Sequence, residues 1–208
     1  EHGRTALAAA RQHAPSLILL DVMMPEMDGF ATLDALQADP ATRDIPVVIL
    51  TAQSLGEAEI ERCNRGVATL LNKGLFDSLE TLERIERVLA HQRTLGGPTQ
   101  RLVRRAMVFV HEHYAAPLRR EQIAAHVGVS ADYLADCFRQ ELGITPTSYL
   151  HRYRIHQARE LLTGSDMSIA AIALAVGFSE SAHFTRTFHR EVGISPRAYR
   201  RGLTAKRR

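Results

Sequence analysis

Two stretches about 50 residues apart repeat the same pattern of residues. Ile123–Ser130 recurs as Ile172–Ser179, offset by 49 positions, and Glu141–Tyr149 recurs as Glu191–Tyr199, offset by 50. The second copy therefore holds one extra residue, which we expect within its second, longer helix. Gly177 lies where two helices would turn, because Gly adopts a positive φ without a Cβ penalty. Two copies are too few for a solenoid, so a tandem pair of helix-turn-helix units is predicted.

The longer helix of the second copy has an apolar stripe and a polar, basic face. Phe184, Phe188 and Val192 recur every four residues and form the stripe, and Ser179 is predicted as the N-cap. A small basic helix that is anchored by its apolar side is suited to the major groove of DNA. The residues predicted to contact DNA here are Ser181, Ala182, Thr185, Arg186, His189 and Arg190.

The equivalent helix of the first copy offers a different face. Leu134 and Phe138 define its buried stripe, which leaves Asp132, Asp136, Arg139 and Gln140 as the predicted DNA-facing residues. DNA phosphates repel the acid at Asp136, although a carboxylate can accept a hydrogen bond from cytosine N4. We therefore expect the second copy to carry most of the sequence recognition.

Residues from about 101 to 202 resemble the DNA-binding domain of the AraC/XylS family of transcription regulators. The joining segment Tyr149–Leu162 is similar to the linker helix of that family. The resemblance implies double-stranded DNA as a partner and helix-turn-helix units near residues 120–142 and 169–192. A linker helix from about Pro146 to Leu162 would span ~25 Å at ~1.5 Å per residue. The two units could then enter adjacent major-groove segments on one face of the DNA.

Charge is distributed unevenly along the chain. Residues 1–98 carry a net charge of −5 and residues 99–208 a net charge of +8, against +3 for the whole chain. A basic part joined to an acidic part indicates that only the second part meets a polyanion. The Gly/Pro-rich residues 96–99 are predicted as the linker. The predicted domains are therefore residues 1–95 and 100–208.

The first part alternates short apolar runs with helical patterns, which predicts a parallel sheet covered by helices on both faces. The runs are Leu17–Leu20, Ile45–Leu50 and the vicinity of Thr69–Leu71. They lead into Asp21, Thr51 and Lys73, and the chemistry of such sheets lies beyond the carboxyl ends of the strands. An Asp can be the nucleophile that forms an acyl phosphate, while Lys and Thr can hold the phosphoryl oxygens.

The segment Leu19–Gly29 resembles the phosphoacceptor loop of response-regulator receiver domains, and the resemblance covers roughly residues 3–92. It implies a flavodoxin-like, doubly wound α/β fold. It also implies Asp21 as the phosphoacceptor, Thr51 as the switch hydroxyl and Lys73 as the lysine that pairs with the phosphate. Asp21 and the backbone carbonyl of Met23 would be ligands of Mg²⁺.

The resemblance has departures. Receivers complete the Mg²⁺ site with an acidic pair, and nothing before Leu17 supplies it. The first strand, first helix and second strand of the family are missing, Gly74 replaces the usual Pro, and Leu70 replaces a common aromatic residue. We therefore predict an N-terminally truncated receiver, with Mg²⁺ bound in the intact receiver and bound weakly or not at all here.

The two parts together predict a transcription regulator of a two-component phosphorelay, phosphorylated on Asp21 in the intact protein, and not an enzyme. Besides DNA, a cognate histidine kinase is the expected partner, with RNA polymerase and a second copy of the chain as further candidates. An alternative is the C-terminal receiver and output part of a hybrid sensor histidine kinase, which the residues before Glu1 would decide. A haloacid-dehalogenase-like phosphatase would need a second Asp where Met23 stands.

Cysteine use and hydropathy favour a cytoplasmic protein. Cys63 and Cys137 are far apart in sequence and are predicted to be buried thiols. No run approaches the ~18 apolar residues of a membrane span, so no membrane contact is expected.

Overall fold

The computed structural model describes residues 3–22, 28–51, 55–64, 67–76, 78–90 and 97–206. These residues form two compact units. One contains the described residues up to Val108 together with Cys137–Gly143, and the other contains Phe109–Asp136 with the described residues from Ile144 onward. The domain limits predicted from the sequence, residues 1–95 and 100–208, remain a prediction.

The first unit contains a three-stranded parallel sheet with the strand order β1-β2-β3. The elements are α1 (Gly3–His13), β1 (Ile18–Asp21), α2 (Gly29–Ala38), β2 (Val47–Thr51), α3 (Glu57–Cys63), β3 (Val67–Asn72) and α4 (Ser78–Ala90). The alternation of strands and helices along the chain produces the parallel pairing, since parallel neighbours need a crossover connection. The α/β fold class predicted for this part is confirmed.

The centre of this sheet is buried and one of its edges is open. Val48 and Ile49 of β2 are fully buried, as apolar side chains of a middle strand are when helices cover both faces. Within the described part of the chain, β1 pairs with β2 alone. Leu19 of β1 is 50% exposed, so this strand presents an apolar edge to solvent.

The remaining described elements are helices, as predicted. They are α5 (Pro98–His113), α6 (Arg120–Val127), α7 (Ala131–Leu142), α8 (Pro146–Gly164), α9 (Ile169–Ala175), α10 (Ser181–Val192) and α11 (Pro196–Lys206). The helix-turn-helix pairs are α6–α7 and α9–α10, and α8 is the linker helix between them. Phe184 and Phe188 of α10 are fully buried in a core that also contains Ile172 of α9 and Ala158 of α8.

The extra residue of the second copy lies in the turn and not in the helix, so that expectation was wrong. Helices α7 and α10 each contain 12 residues, and the turn is one residue longer after Gly177 than after Gly128. A residue inserted inside a helix would rotate its apolar stripe by about 100°. A longer turn leaves the stripe in place.

The cap of α10 differs from the prediction for the same reason. The residue before α10 is Glu180, which makes no side-chain capping hydrogen bond, and Ser179 is not the N-cap. In the first copy Ser130 still caps, because its Oγ accepts a hydrogen bond from the backbone N–H of Tyr133 at 3.2 Å.

A buried arginine holds together the end of α5, the linker helix α8 and the turn between α9 and α10. Arg154 of α8 donates from Nε to the carbonyl oxygen of Tyr114 and from Nη2 to that of Ala116, both at 2.8 Å. Gly177 has the predicted positive φ, +88°. A Cβ at Gly177 would lie 2.5 Å from the carbonyl oxygen of Tyr114 and 2.9 Å from that of Ala115. The turn therefore depends on Gly for its conformation and for its space.

Two further expectations concern cysteine and membrane segments. Cys63 and Cys137 are buried, as predicted, and form no disulfide within the described residues, and burial raises the pKa of the Cys63 thiol to about 11. In the portion of the chain with a described structure, none of the helices combines the length and the apolar character needed to cross a bilayer.

Candidate functional site

The three residues predicted from the strand ends lie together along the edge of the sheet where the carboxyl ends of the three strands meet. Asp21 ends β1, Thr51 ends β2 and Lys73 directly follows β3. The Nζ atom of Lys73 forms an ion pair with Oδ2 of Asp21. The backbone N–H of Lys73 donates to the carbonyl oxygen of Thr51 at 2.6 Å. The parallel register thus brings a carboxylate, a hydroxyl-bearing residue and an ammonium group together.

These groups differ in their exposure. The side chains of Asp21 and Lys73 are 36% and 44% exposed, whereas Thr51 is buried. Solvent or a small donor can therefore reach the carboxylate, with a cation already beside it. Such an arrangement can neutralise the charge that a phosphoryl group would add.

The chain returns to α2 very close to this edge. A Cβ at Gly29 would lie 2.3 Å from the carbonyl oxygen of Asp21 and 2.7 Å from the Cα of Val22. Asp28 caps α2, its carboxylate accepting a hydrogen bond from the backbone N–H of Ala31 at 2.6 Å. Gly29 was not among the predicted site residues, although the Asp-Gly pair before a helical pattern was the available signal.

The described residues do not by themselves make a Mg²⁺ site. Met23, the predicted backbone ligand, lies outside them. The carboxylate of Asp21 is paired with Lys73, and no cluster of three acidic, His or Cys side chains able to hold a metal occurs in the residues that can be described. Mg²⁺ is bound through carboxylates and waters in near-octahedral geometry, and Asp21 alone does not supply this.

The predicted DNA-facing residues of α10 lie on its solvent side. All of them are exposed except Thr185, which is half-buried and donates from Oγ1 to the carbonyl oxygen of Ser181 at 2.9 Å. Arg190 donates from Nε to Oε1 of Glu191 at 3.0 Å. Arg186 has no ion pair within the described residues, and its guanidinium is therefore available to a ligand.

The corresponding face of α7 is also exposed, but it is acidic at a central position. The exposed residues are Asp132, Asp136, Arg139 and Gln140. Because α7 and α10 are equal in length and align at an offset of 50, Asp136 and Arg186 are equivalent. Asp132 lies 3.7 Å from Nη1 of Arg120, a pairing that the sequence analysis missed. The two recognition faces therefore carry opposite charges at one matched position.

His183 of α10 was not among the predicted DNA-facing residues, and the structure places it away from that face. Its ring packs edge-on against Phe178 at 5.3 Å and against His151 at 5.4 Å between centroids.

Comparison with known protein families gives two matches along the chain. The family model described as a response regulator receiver domain matches residues 1–86. The family model described as a helix-turn-helix domain matches residues 123–202. The first contains the Asp21–Lys73 site, and the second contains both recognition helices from Ile123 onward.

Curated relatives match either the whole chain or its second part. Histidine kinase P4 of Formosa agariphila is 27% identical over 221 residues, which cover 96% of this chain and 16% of that protein. Regulatory protein PocR of Salmonella typhimurium is 36% identical over 113 residues, which cover 53% of this chain and 37% of that protein. The chain thus spans well under half of the length of these relatives.

A solved structure also resembles the second part. The C-terminal domain of AraT, a response regulator from Geobacillus stearothermophilus, is 34% identical with a TM-score of 0.49. The match covers 51% of this chain and 88% of that domain.

Proposed function

Because the chain belongs to the response-regulator receiver domains over residues 1–86 and to the AraC-type helix-turn-helix domains over residues 123–202, we propose that it is a sequence-specific, DNA-binding transcription regulator of a two-component phosphorelay. The observation that carries this proposal is the exposed face of α10, with Arg186 unpaired within the described residues and the apolar stripe of the helix buried. Double-stranded DNA is the partner that such a face fits.

Asp21 is the proposed phosphoacceptor, with Lys73 and Thr51 as the residues that respond to the phosphoryl group. The ion pair between Lys73 and Asp21 supports this assignment, because the ammonium can transfer its contact from the carboxylate to a phosphoryl oxygen. Mg²⁺ stays a prediction for the intact receiver. The proposed output is altered DNA binding and not catalysis.

The proposed partners follow from the two domains. A cognate histidine kinase would supply the phosphoryl group, and RNA polymerase and a second copy of the chain remain candidates for the output step. A cytoplasmic location is proposed because both cysteines are buried thiols.

We predict that Arg186→Ala relaxes specificity at one base pair. A guanidinium can pair bidentately with guanine, and losing that pair costs about 1–3 kcal/mol of discrimination. The measurement is binding to a duplex selected from random sequences and to its single-base variants, at several salt concentrations. The discrimination should fall at one position while the slope of log K against log salt stays nearly unchanged.

The control is Arg197→Ala, since Arg197 is an exposed arginine of α11 outside the predicted face. If Arg186 contacts a phosphate instead, all duplexes should weaken alike and the salt slope should fall by about one unit. If Arg186→Ala keeps wild-type affinity and specificity, α10 is not the reader and the assignment fails.

We also predict that Asp136→Arg strengthens binding to duplexes of unrelated sequence. The change removes an acid from the exposed face of α7 and supplies the charge that Arg186 has at the equivalent position of α10. Asp136→Asn removes the charge without adding a cation, so it should give a smaller gain. Unchanged non-specific affinity in both variants would mean that α7 does not approach the DNA.

A second candidate function is the receiver and output part of a hybrid sensor histidine kinase. The observation that favours it is the match to histidine kinase P4, which extends over 96% of this chain and so includes both of its parts. The sequence that precedes this segment in the gene distinguishes the two candidates, because a hybrid kinase would carry its catalytic domain there.

A further inference from the structure

The second unit contains a groove of about 390 Å³ that the proposed function does not use. Its walls come from the segment before α6, from α9 and the turn after it, and from Arg154 of the linker helix. The apolar part of the wall is formed by Leu118, Leu174 and Phe178, and the polar part by Arg119, Arg154 and His183. Its volume is within the range of small-molecule sites, about 300–1,000 Å³.

The groove is cationic. None of the described residues that line it is acidic, and Arg119 and Arg154 form no ion pair with a carboxylate within the described chain. Arg154 is only 6% exposed, and burial lowers the pKa of its guanidinium. Buried charges in proteins are usually paired with an opposite charge, whereas the described partners of the Arg154 guanidinium are neutral: the carbonyl oxygens of Tyr114 and Ala116 and the ring of Phe178, whose centroid lies 5.6 Å from Cζ. An anion in the groove would supply the missing partner.

The apolar wall limits which anion fits. Leu174 is 65% exposed at the rim, and Phe178 closes the wall beside His183, with 5.3 Å between the ring centroids. Phe178 is already buried, but a bare inorganic anion would leave the exposed side chain of Leu174 without contact, whereas an apolar body on the anion would cover it.

From this geometry we propose that the groove binds a small organic monocarboxylate with an apolar body. Its carboxylate would lie against Arg154 and Arg119, and its body against Leu118, Leu174 and Phe178. A DNA phosphate fits the same cations less well, because the guanidinium of Arg154 is held deep in the junction between α5 and α8. The bound molecule would touch the second helix-turn-helix unit and the segment that leads into the first.

The test uses the full 208-residue chain and 2-naphthoate as the probe, with 2-naphthalenemethanol as its neutral counterpart. We expect saturable binding of 2-naphthoate to one site, followed by calorimetry, and shifted amide resonances in residues 115–119 and 174–183. The alcohol should bind about tenfold more weakly or worse, because it cannot form charge-assisted hydrogen bonds to a guanidinium.

A matched pair of variants tests the location without disturbing Arg154. Leu174→Glu places an acid at the rim and should weaken 2-naphthoate about tenfold or more by like-charge repulsion. Leu174→Gln has nearly the shape of Leu174→Glu without the charge, so it should lose only the apolar contact and should bind 2-naphthoate about tenfold more tightly than Leu174→Glu. Leu174 is largely exposed, so neither change should unfold the domain.

Three outcomes would overturn the proposal. Equal affinity for the acid and the alcohol would mean that the groove is only apolar. Absence of saturable binding, or resonance shifts confined to other segments, would mean that no carboxylate site exists there. Displacement of 2-naphthoate by a generic DNA duplex, with a reduced salt slope of duplex binding in Leu174→Glu, would assign the groove to a DNA phosphate.

Discussion

Replacing Gly177 by Ala is expected to destabilise the second unit by about 2–5 kcal/mol. An L-residue held at left-handed φ loses about 1–2 kcal/mol, and Gly177 has φ +88°. The added methyl group would also stand 2.5 Å from the carbonyl oxygen of Tyr114 and 2.9 Å from Nη2 of Arg154. Overpacking of this kind costs a further ~1–3 kcal/mol. The backbone carbonyl cannot move aside without breaking its hydrogen bond to Arg154.

The internal repeat provides the control, Gly128→Ala. Gly128 has nearly the same backbone conformation, φ +78°, but a Cβ there would meet no atom within 4 Å. Gly128→Ala should therefore lower the free energy of unfolding by the conformational contribution alone, about 1–2 kcal/mol. Hydrogen exchange of buried amides in α9 and α10 measures the loss of stability near Gly177. Exchange of the amides at the equivalent positions of α6 and α7 measures the loss near Gly128. Equal costs at the two glycines would mean that the turn at Gly177 can shift away from α5.

Asp21→Asn is expected to remove all labelling of the chain by a phosphoryl donor such as acetyl phosphate. The carboxylate of Asp21 is partly exposed and pairs with Lys73, and an amide cannot form an acyl phosphate. Labelling of the 208-residue chain should be slow even before the change, because the described residues contain no cluster of three acidic, His or Cys side chains that could hold Mg²⁺. The measurement is incorporation of labelled phosphate over time in the presence of Mg²⁺.

The matched control is Asp28→Asn. Asp28 is an exposed acid near the same edge, and it caps α2 through its carboxylate. Asn is an equally good N-cap, so α2 should remain intact and labelling should stay at the wild-type level. Labelling that survives Asp21→Asn would place the phosphoacceptor elsewhere. Rapid labelling of the wild-type chain would mean that a single carboxylate is sufficient at this edge.

The sequence pattern was sufficient to predict the helices and strands, because the periodicity of their apolar residues agrees with the residues that signal where they begin and end. Helix α10 illustrates this, since Phe184 and Phe188 recur at helical spacing and are both fully buried. The meeting of Asp21 with Lys73 was also predictable, because parallel strands bring their carboxyl ends to one edge.

What sequence reasoning missed depends on contacts between distant segments. The extra residue was assigned to a helix because offsets in a repeat cannot locate an insertion between two matching blocks. Neither the hydrogen bonds of Arg154 to the end of α5 nor the groove beside them has a local signature. Whether the predicted DNA-facing and phosphate-binding residues act as assigned stays a prediction that the variants above test.

The opposite charges at Asp136 and Arg186 give the proposed complex a direction. In a symmetric dimer two identical recognition helices meet two identical half-sites, and the protein can be turned end for end without changing any contact. Here the two helices belong to one chain and differ at a matched position. Turning the chain around would place the carboxylate of Asp136 at the base pair chosen by Arg186. A single bound chain would therefore point one way along the duplex.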